Sequence, residues 1–333
     1  MTKKIARLAA IACLALLGAC ASQPPAPPKT INLIVFPGGW NWPVWVAQEK
    51  GLFSRNGVEV KVTPTPNSQF QLTGLIDGKF DIGMTAIDNL IAYREGQGSV
   101  PADGSDLIAV MGGDQGFLRL VSVPEVRSIA ELRGKTLSVD ALTTGYAFVL
   151  LEVLERNGLV LGRDYKTEGA GGGIQRFNAL MDKKHAATLL ISPLDVMAQA
   201  RGFNRLADAS QALGQYQGLV AGVRSSWARQ NGAALQGYIR AYAEAVEWLY
   251  APENKVEALA LFLKNVPNST PQSAETSYGV LMHPTEGLQR KARIDMKGVA
   301  TALQLRSRYG KPQKTLSDPG RYYDGRYYDA AMR

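Results

Sequence analysis

Three aspartates, Asp88, Asp114 and Asp140, each sit just past a strand-like run. A carboxylate there either accepts hydrogen bonds from a ligand amine or caps the helix or turn that follows. Aromatic chemistry is concentrated nearby: Trp40, Trp42 and Trp45 are three of the chain's five tryptophans, directly after Pro37-Gly38-Gly39. Gly38 and Gly39 allow a tight turn and a close approach to a ligand. Trp40 and Trp42, in the loop, present broad apolar faces and one N–H donor each, suited to a flat ring or to the methylenes of a small solute. Trp45 falls within the next helix and is expected to face the core. Thr143-Thr144-Gly145-Tyr146 opens another helix. The free N–H groups and dipole at such a start either favour an anionic or polar ligand group or are simply capped. Ser192, at a further strand end, can add a hydroxyl. Gly171-Gly172-Gly173 reads as a hinge-like loop rather than a phosphate cradle.

Familiar catalytic motifs are missing. The two histidines, His185 and His283, have no metal-spaced partners and no HExxH occurs, which disfavours a zinc hydrolase. Arg133-Gly134-Lys135-Thr136 approaches a P-loop, but Ile129 stands where that motif needs glycine. Gly169-Ala170-Gly171-Gly172-Gly173 approaches a dinucleotide fingerprint, but Ile174 stands in place of its last glycine. No GxSxG elbow is present. A protein with no catalytic residues, no metal and no cofactor is expected.

The elements that must hold the candidate residues follow from periodicity and breakers. Residues 31–36 form a strand-type run ending at Pro37-Gly38-Gly39. Pro43 and Gly51 bracket a helix over about 43–50, and 58–62 alternates as a strand. Asn67 or Ser68 caps a helix that stops at Gly78, 80–85 is a second short strand, Asp88 caps a helix through Tyr93, and 107–111 is a third strand. The β-α-β-α-β order predicts a parallel sheet with helices on its faces. A second such unit follows, with strands at 118–123, 135–139 and 186–191 and a strongly apolar helix over about 146–156. Past Gly222 the chain is almost wholly helical, and residues 311–333 read as a loosely packed strap with Tyr322, Tyr323, Tyr327 and Tyr328 as surface packing. Two α/β lobes are expected: 31–117, an inserted 118–215, and a return over 216–333. Ligand loops at the strand ends would face each other across a cleft.

At the N-terminus, Lys3, Lys4 and Arg7 precede a short apolar run closed by Leu17-Gly18-Ala19-Cys20. This is the layout of a signal peptide over 1–19, and its last four residues resemble a bacterial lipobox, whose cysteine is lipidated. Cys13 lies within the leader, so Cys20 is the one cysteine expected in the mature chain and no internal disulfide forms. Residues 20–30 are rich in proline and predict a semi-rigid tether. No later stretch approaches the ~18 uninterrupted apolar residues of a membrane helix. Setting the three leader cations aside lowers the formal charge from +8 to +5. This charge is scattered, without a basic stripe, which argues against nucleic acid.

Several stretches, in order, carry a resemblance. They are Trp42-Pro43 with Ala47-Gln48-Glu49-Lys50-Gly51-Leu52-Phe53, then Leu75-Ile76-Asp77-Gly78-Lys79-Phe80-Asp81-Ile82-Gly83, then Ser128-Ile129-Ala130-Glu131-Leu132-Arg133-Gly134-Lys135, and Asn157-Gly158-Leu159 with Asp164-Tyr165. Over about 31–250 the chain resembles the sulfonate/nitrate/taurine-type ABC transporter substrate-binding proteins. The resemblance implies a two-lobed α/β fold of the type II periplasmic-binding kind, shared with thiamine-pyrimidine precursor synthase-like proteins. The cysteine-rich stretch and histidine chemistry of those synthases are lacking here, so binding and not synthesis carries over. Three family loops hold ligand, and position by position they fall on Gly38 to Trp42 (with Asn41), Thr85 to Asn89, and Asp140 to Tyr146. The function implied is a lipid-anchored, monomeric solute receptor in the periplasm or cell envelope, passing a small polar organic molecule to an ABC permease and its ATPase. The alternative is an enzyme on the same fold acting on a small heterocyclic metabolite. The helix start and the mild positive charge lean toward a sulfonate, carboxylate or nitrate-like anion; the tryptophans and aspartates lean toward an aminopyrimidine or other flat heterocycle.

Overall fold

The computed structural model describes residues 27–333. The expected leader, Cys20 and most of the tether lie outside the described residues. Within them are the strands β1 (Lys29–Val35), β2 (Val58–Pro64), β3 (Ile82–Ala86), β4 (Leu107–Gly112), β5 (Arg119–Ser122), β6 (Thr136–Val139), β7 (Lys166–Gly169), β8 (Ala187–Leu190), β9 (Asn204–Asp208) and β10 (Leu219–Arg224). They form two five-stranded sheets, ordered β2-β1-β3-β10-β4 and β7-β6-β8-β5-β9. The tether ends sooner than its composition predicts. Lys29 and Thr30 already belong to β1, because β2 offers a parallel partner along its whole length, from Val58 opposite Lys29 to Pro64 opposite Val35.

Neither sheet is purely parallel. β1 pairs in parallel with β2 and β3, but β10 enters antiparallel between β3 and β4. β6 pairs in parallel with β7 and β8, while β5 runs antiparallel between β8 and β9. The reason lies in the crossings. The chain leaves one sheet at the C-terminal edge of its parallel strands and enters the other at the matching edge, so the incoming strand runs backward. Central strands β3 and β8 are buried throughout, which accounts for their mostly apolar runs, each broken by a single buried threonine, Thr85 and Thr188. Edge strand β7, Lys-Thr-Glu-Gly, is mostly exposed and carries no alternation; pairing with β6 alone makes it a strand.

Helices cover both sheets. In Gly232–Tyr250, Leu235, Ile239, Tyr242, Val246 and Leu249 are buried at helical spacing, and this face packs on the helix Trp42–Glu49. The helix Met296–Tyr309 bridges the lobes, packing on both Ile87–Arg94 and Gly145–Arg156. The tail is not the loose strap its polarity suggests. Tyr322 is buried and its hydroxyl donates to Glu95 Oε1 at 2.8 Å. Tyr323 bridges in parallel to Ala109, so the tail covers the outer edge of β4. Tyr328 is also buried, and its hydroxyl donates to the Lys291 carbonyl at 3.0 Å. No helix among the described residues is long and apolar enough to cross a membrane.

Candidate ligand-binding site

Strand ends from the two sheets meet across one cavity. Phe36, Trp40, Ala86 and Asn89 line it from the first lobe, and Asp140, Thr144, Tyr146, Gly172, Gly173, Arg176, Ile191 and Leu194 from the second. Asp114 and Leu219 line it where the chain crosses between lobes. Its free volume is about 50 Å³, room for roughly four waters. The lobes touch around it. Ser68 N donates to Asp140 Oδ2 at 3.1 Å, Gly172 N to the Pro66 carbonyl at 2.9 Å, and Arg306 Nη2 to the Thr143 carbonyl at 2.7 Å. This is a closed arrangement around a small gap.

Of the residues singled out in the sequence, Trp40, Asn89, Asp114, Asp140, Thr144 and Tyr146 are brought together on the cavity wall. Gly38 lies beneath the Trp40 ring, 2.0 Å from where a Cβ would stand, so only glycine lets that ring fold over the loop. Gly39 instead packs against Leu281, Phe262 and the Ser192 carbonyl. Asn41 donates its side-chain amide to the Phe36 carbonyl at 2.7 Å and braces the loop.

Trp42 is a correction. It is fully buried in the first lobe, its ring 4.6 Å from Phe262 and 5.8 Å from Tyr278 between centroids, and its Nε1 donates to the Ala258 carbonyl at 3.2 Å. The helix begins at Trp42 itself, and that first turn faces the helical C-terminal part. Thr85 is likewise turned inward, its hydroxyl accepting from Asn89 Nδ2 at 3.0 Å. Ser192 is buried and donates to Asp195 Oδ1 at 2.7 Å, which spends its hydroxyl inside the second lobe.

Asp88 is a further correction. It neither caps its helix, whose N-cap is Ala86, nor lines the cavity. Its carboxylate forms a buried ion pair with Arg306, whose Nε donates to Oδ1 at 2.7 Å. That pair also explains Thr143 and Gly145. Arg306 takes the Thr143 carbonyl, and Gly145 packs so closely on Asp88 that a Cβ would stand 2.4 Å from the Asp88 Cβ. The start of the helix Gly145–Arg156 is thus met by a protein carboxylate rather than left open for a ligand anion.

The cavity wall carries charged groups of both signs, Asp114, Asp140 and Arg176. Asp114 Oδ1 accepts from Gly116 N at 2.8 Å and Leu219 N at 3.1 Å, and burial pushes its carboxyl up to about 6 despite these bonds. Burial raises the Tyr146 phenol well above its usual value; Asp114 adds to this and Arg176 opposes it, so Tyr146 stands in the field of both. Burial pulls Arg176 below its ordinary value, and Asp140 partly offsets that through space. Asp140 Oδ1 and Arg176 Nε are buried without hydrogen-bond partners among the described residues.

Sequence reasoning missed Phe36, Gly172, Gly173, Arg176, Ile191, Leu194 and Leu219, while Ala86 falls within the expected loop Thr85 to Asn89. Arg176 did leave a signal, a cation one turn into a helix that follows three glycines. The aliphatic residues leave none, since Ile191 and Leu194 read like any core positions. Among the described residues, no group of three or more His, Cys, Asp or Glu gathers as a metal site.

The chain's relatives fit this arrangement. The model of the family described as NMT1/THI5 like matches residues 41–255. No curated protein sequence matches the chain. Among solved structures, it is similar to the periplasmic nitrate-binding protein NrtA from Synechocystis PCC 6803, at 14% identity and TM-score 0.74, over 92% of this chain and 88% of that one. It is similar to the alkanesulfonate-binding protein SsuA from Xanthomonas axonopodis pv. citri bound to MOPS, at 17% identity and TM-score 0.70, over 85% and 93%. It is also similar to the desulfurization enzyme DSZB, at 14% identity and TM-score 0.63, over 91% and 99%. At such identities the likeness is one of fold, the two-lobed periplasmic-binding-protein fold. By the match of its own sequence over most of its length, the chain belongs to the NMT1/THI5-like family.

Proposed function

We propose that this protein is the solute-binding lipoprotein of an ABC importer. It captures a small polar organic molecule, of sulfonate, taurine, nitrate or aminopyrimidine type, between its lobes and delivers it to a permease with its ATPase. The observation that carries this reading is a small cavity with walls from both lobes, which the described residues join by two crossings between the sheets. A ligand that touches both walls stabilises the closed form over the open one, which is what a receptor must report. NrtA and SsuA, by their names, bind solutes on this fold. Lipidation of Cys20 would hold a monomer at a membrane in the periplasm or cell envelope, beside the permease.

Native mass spectrometry of the purified protein tests the proposal. A small molecule retained at one copy per chain and released unchanged is the expected result. A second reading, an enzyme acting on a small heterocyclic metabolite, draws on the likeness to DSZB. Conversion of the retained molecule by the purified protein would favour that reading and end the first.

A further inference from the structure

Arg176 is out of place for a structural arginine. It is 5% exposed, yet among the described residues its Nε has no partner and no hydrogen bond reaches the guanidinium; the countercharge of Asp140 acts only through space. A buried cation without a partner is costly. Its position adds to the cost. Arg176 lies on the first turn of the helix Gly173–Met181, and its Nη2 folds back to 4.0 Å from where a Cβ on Gly173 would stand. The start of a helix already carries partial positive charge and free N–H groups. Two positive features therefore converge on Gly173 at the cavity wall, beside Gly172, whose N–H is already given to the Pro66 carbonyl, and among the described residues no protein anion is hydrogen-bonded to the Arg176 guanidinium. A bound acid group would remove both penalties.

Another part of the cavity wall has the opposite character. Asp114 commits only Oδ1 to the backbone amides of Gly116 and Leu219, and Oδ2 takes no hydrogen bond among the described residues. Arg176, Tyr146 and Asp114 all line the same cavity, and Tyr146 stands in the field of both charges. A simple anion would satisfy Arg176 but leave Asp114 facing it across a narrow, mostly apolar space.

Resting on the receptor reading, we infer that the cleft takes an amphoteric solute, with its acid group on Arg176 and the start of the helix Gly173–Met181 and its amine on Asp114. The aromatic faces of Phe36 and Trp40 cover the apolar body between the two ends.

Calorimetric titration of the full protein, stripped of retained solute and refolded, tests this with taurine, β-alanine and 3-aminobenzoate. Each is paired with its amine-less counterpart: isethionate, 3-hydroxypropanoate and 3-hydroxybenzoate. At least one amphoteric probe should bind ten-fold or more tightly than its counterpart. Asp114→Asn should erase that advantage while leaving the melting temperature high enough to titrate. Arg176→Gln should weaken the amphoteric probe at least ten-fold but leave the weak binding of ethanolamine, which lacks the acid, unchanged. Equal binding of the amine-less acids overturns the proposal, as does a failure of all three amphoteric probes. In that last case a metabolite extract separates the two ideas: if it still raises the melting temperature, the receptor reading stands and only the solute class falls.

Discussion

Trp40 and Trp42 are two residues apart, and alanine at each should do different damage. Trp42 is fully buried against Phe262 and Tyr278 and donates to the Ala258 carbonyl. Its removal leaves a cavity in the first lobe, and large aromatic truncations of that kind cost about 3–5 kcal/mol. The Ala258 carbonyl also loses its indole donor, a contribution of about 1 kcal/mol within that total. Trp40 instead forms part of the cleft wall, held over Gly38. Its loss should weaken binding by ~1–3 kcal/mol, or roughly 5- to 150-fold in Kd, with a smaller loss of stability. Thermal melts of both variants, with calorimetry on the solute recovered by mass spectrometry, separate the effects. The reasoning fails if Trp42→Ala melts like the wild type but binds ten-fold more weakly, or if Trp40→Ala keeps full affinity.

Three other outcomes follow from the same geometry. Burial holds the Asp114 carboxyl at about 6 in the folded protein, above ~3.9 for an unfolded chain. The folded state therefore binds the extra proton, and this stabilising contribution of ~3 kcal/mol is complete below pH ~4 and lost as pH rises through about 6. Asp114→Asn keeps an acceptor for Gly116 and Leu219, so its melting curve should lack that pH slope; a slope equal to the wild type's would refute the assignment. Arg306→Met strands the Asp88 carboxylate in the interior and should cost ~3–5 kcal/mol in thermal or urea unfolding. Adding Asp88→Asn should restore part of that stability, and no recovery would argue against the pair as the cause. Gly145→Ala puts a Cβ 2.4 Å from the Asp88 Cβ, a clash across the contact between the lobes, which the proposed receptor would form on closing. Its radius of gyration by X-ray scattering with solute should stay that of the open form, with affinity at least ten-fold lower; a normal closure would refute the contact.

Much of the fold was legible because it rests on local signals. The alternation of Val58 to Val62, the breakers at Gly38-Gly39 and Gly78, and the apolar stripe of Gly145–Arg156 are written into neighbouring residues. Long-range pairing was not legible. That β10 inserts between β3 and β4, that β7 is a strand at all, and that Tyr323 covers the β4 edge depend on partners far along the chain.

The candidate site divides along the same line. Sequence by itself determined that loops at strand ends would carry aspartates, aromatics and a helix start, since residue type and local order decide those. Only the tertiary structure decided which of them meet the cavity. It turned Trp42 into the core and Trp40 toward the gap, although both looked alike in the loop, because one opens the α-helix Trp42–Glu49 and the other sits on the short 3-10 turn before it. It gave Asp88 to Arg306, 218 positions away, and left Arg176 Nε without a partner among the described residues. Whether a charge is spent inside a protein or kept for a ligand depends on what lies within a few ångströms, and distance in space is the one quantity that order along a chain does not contain.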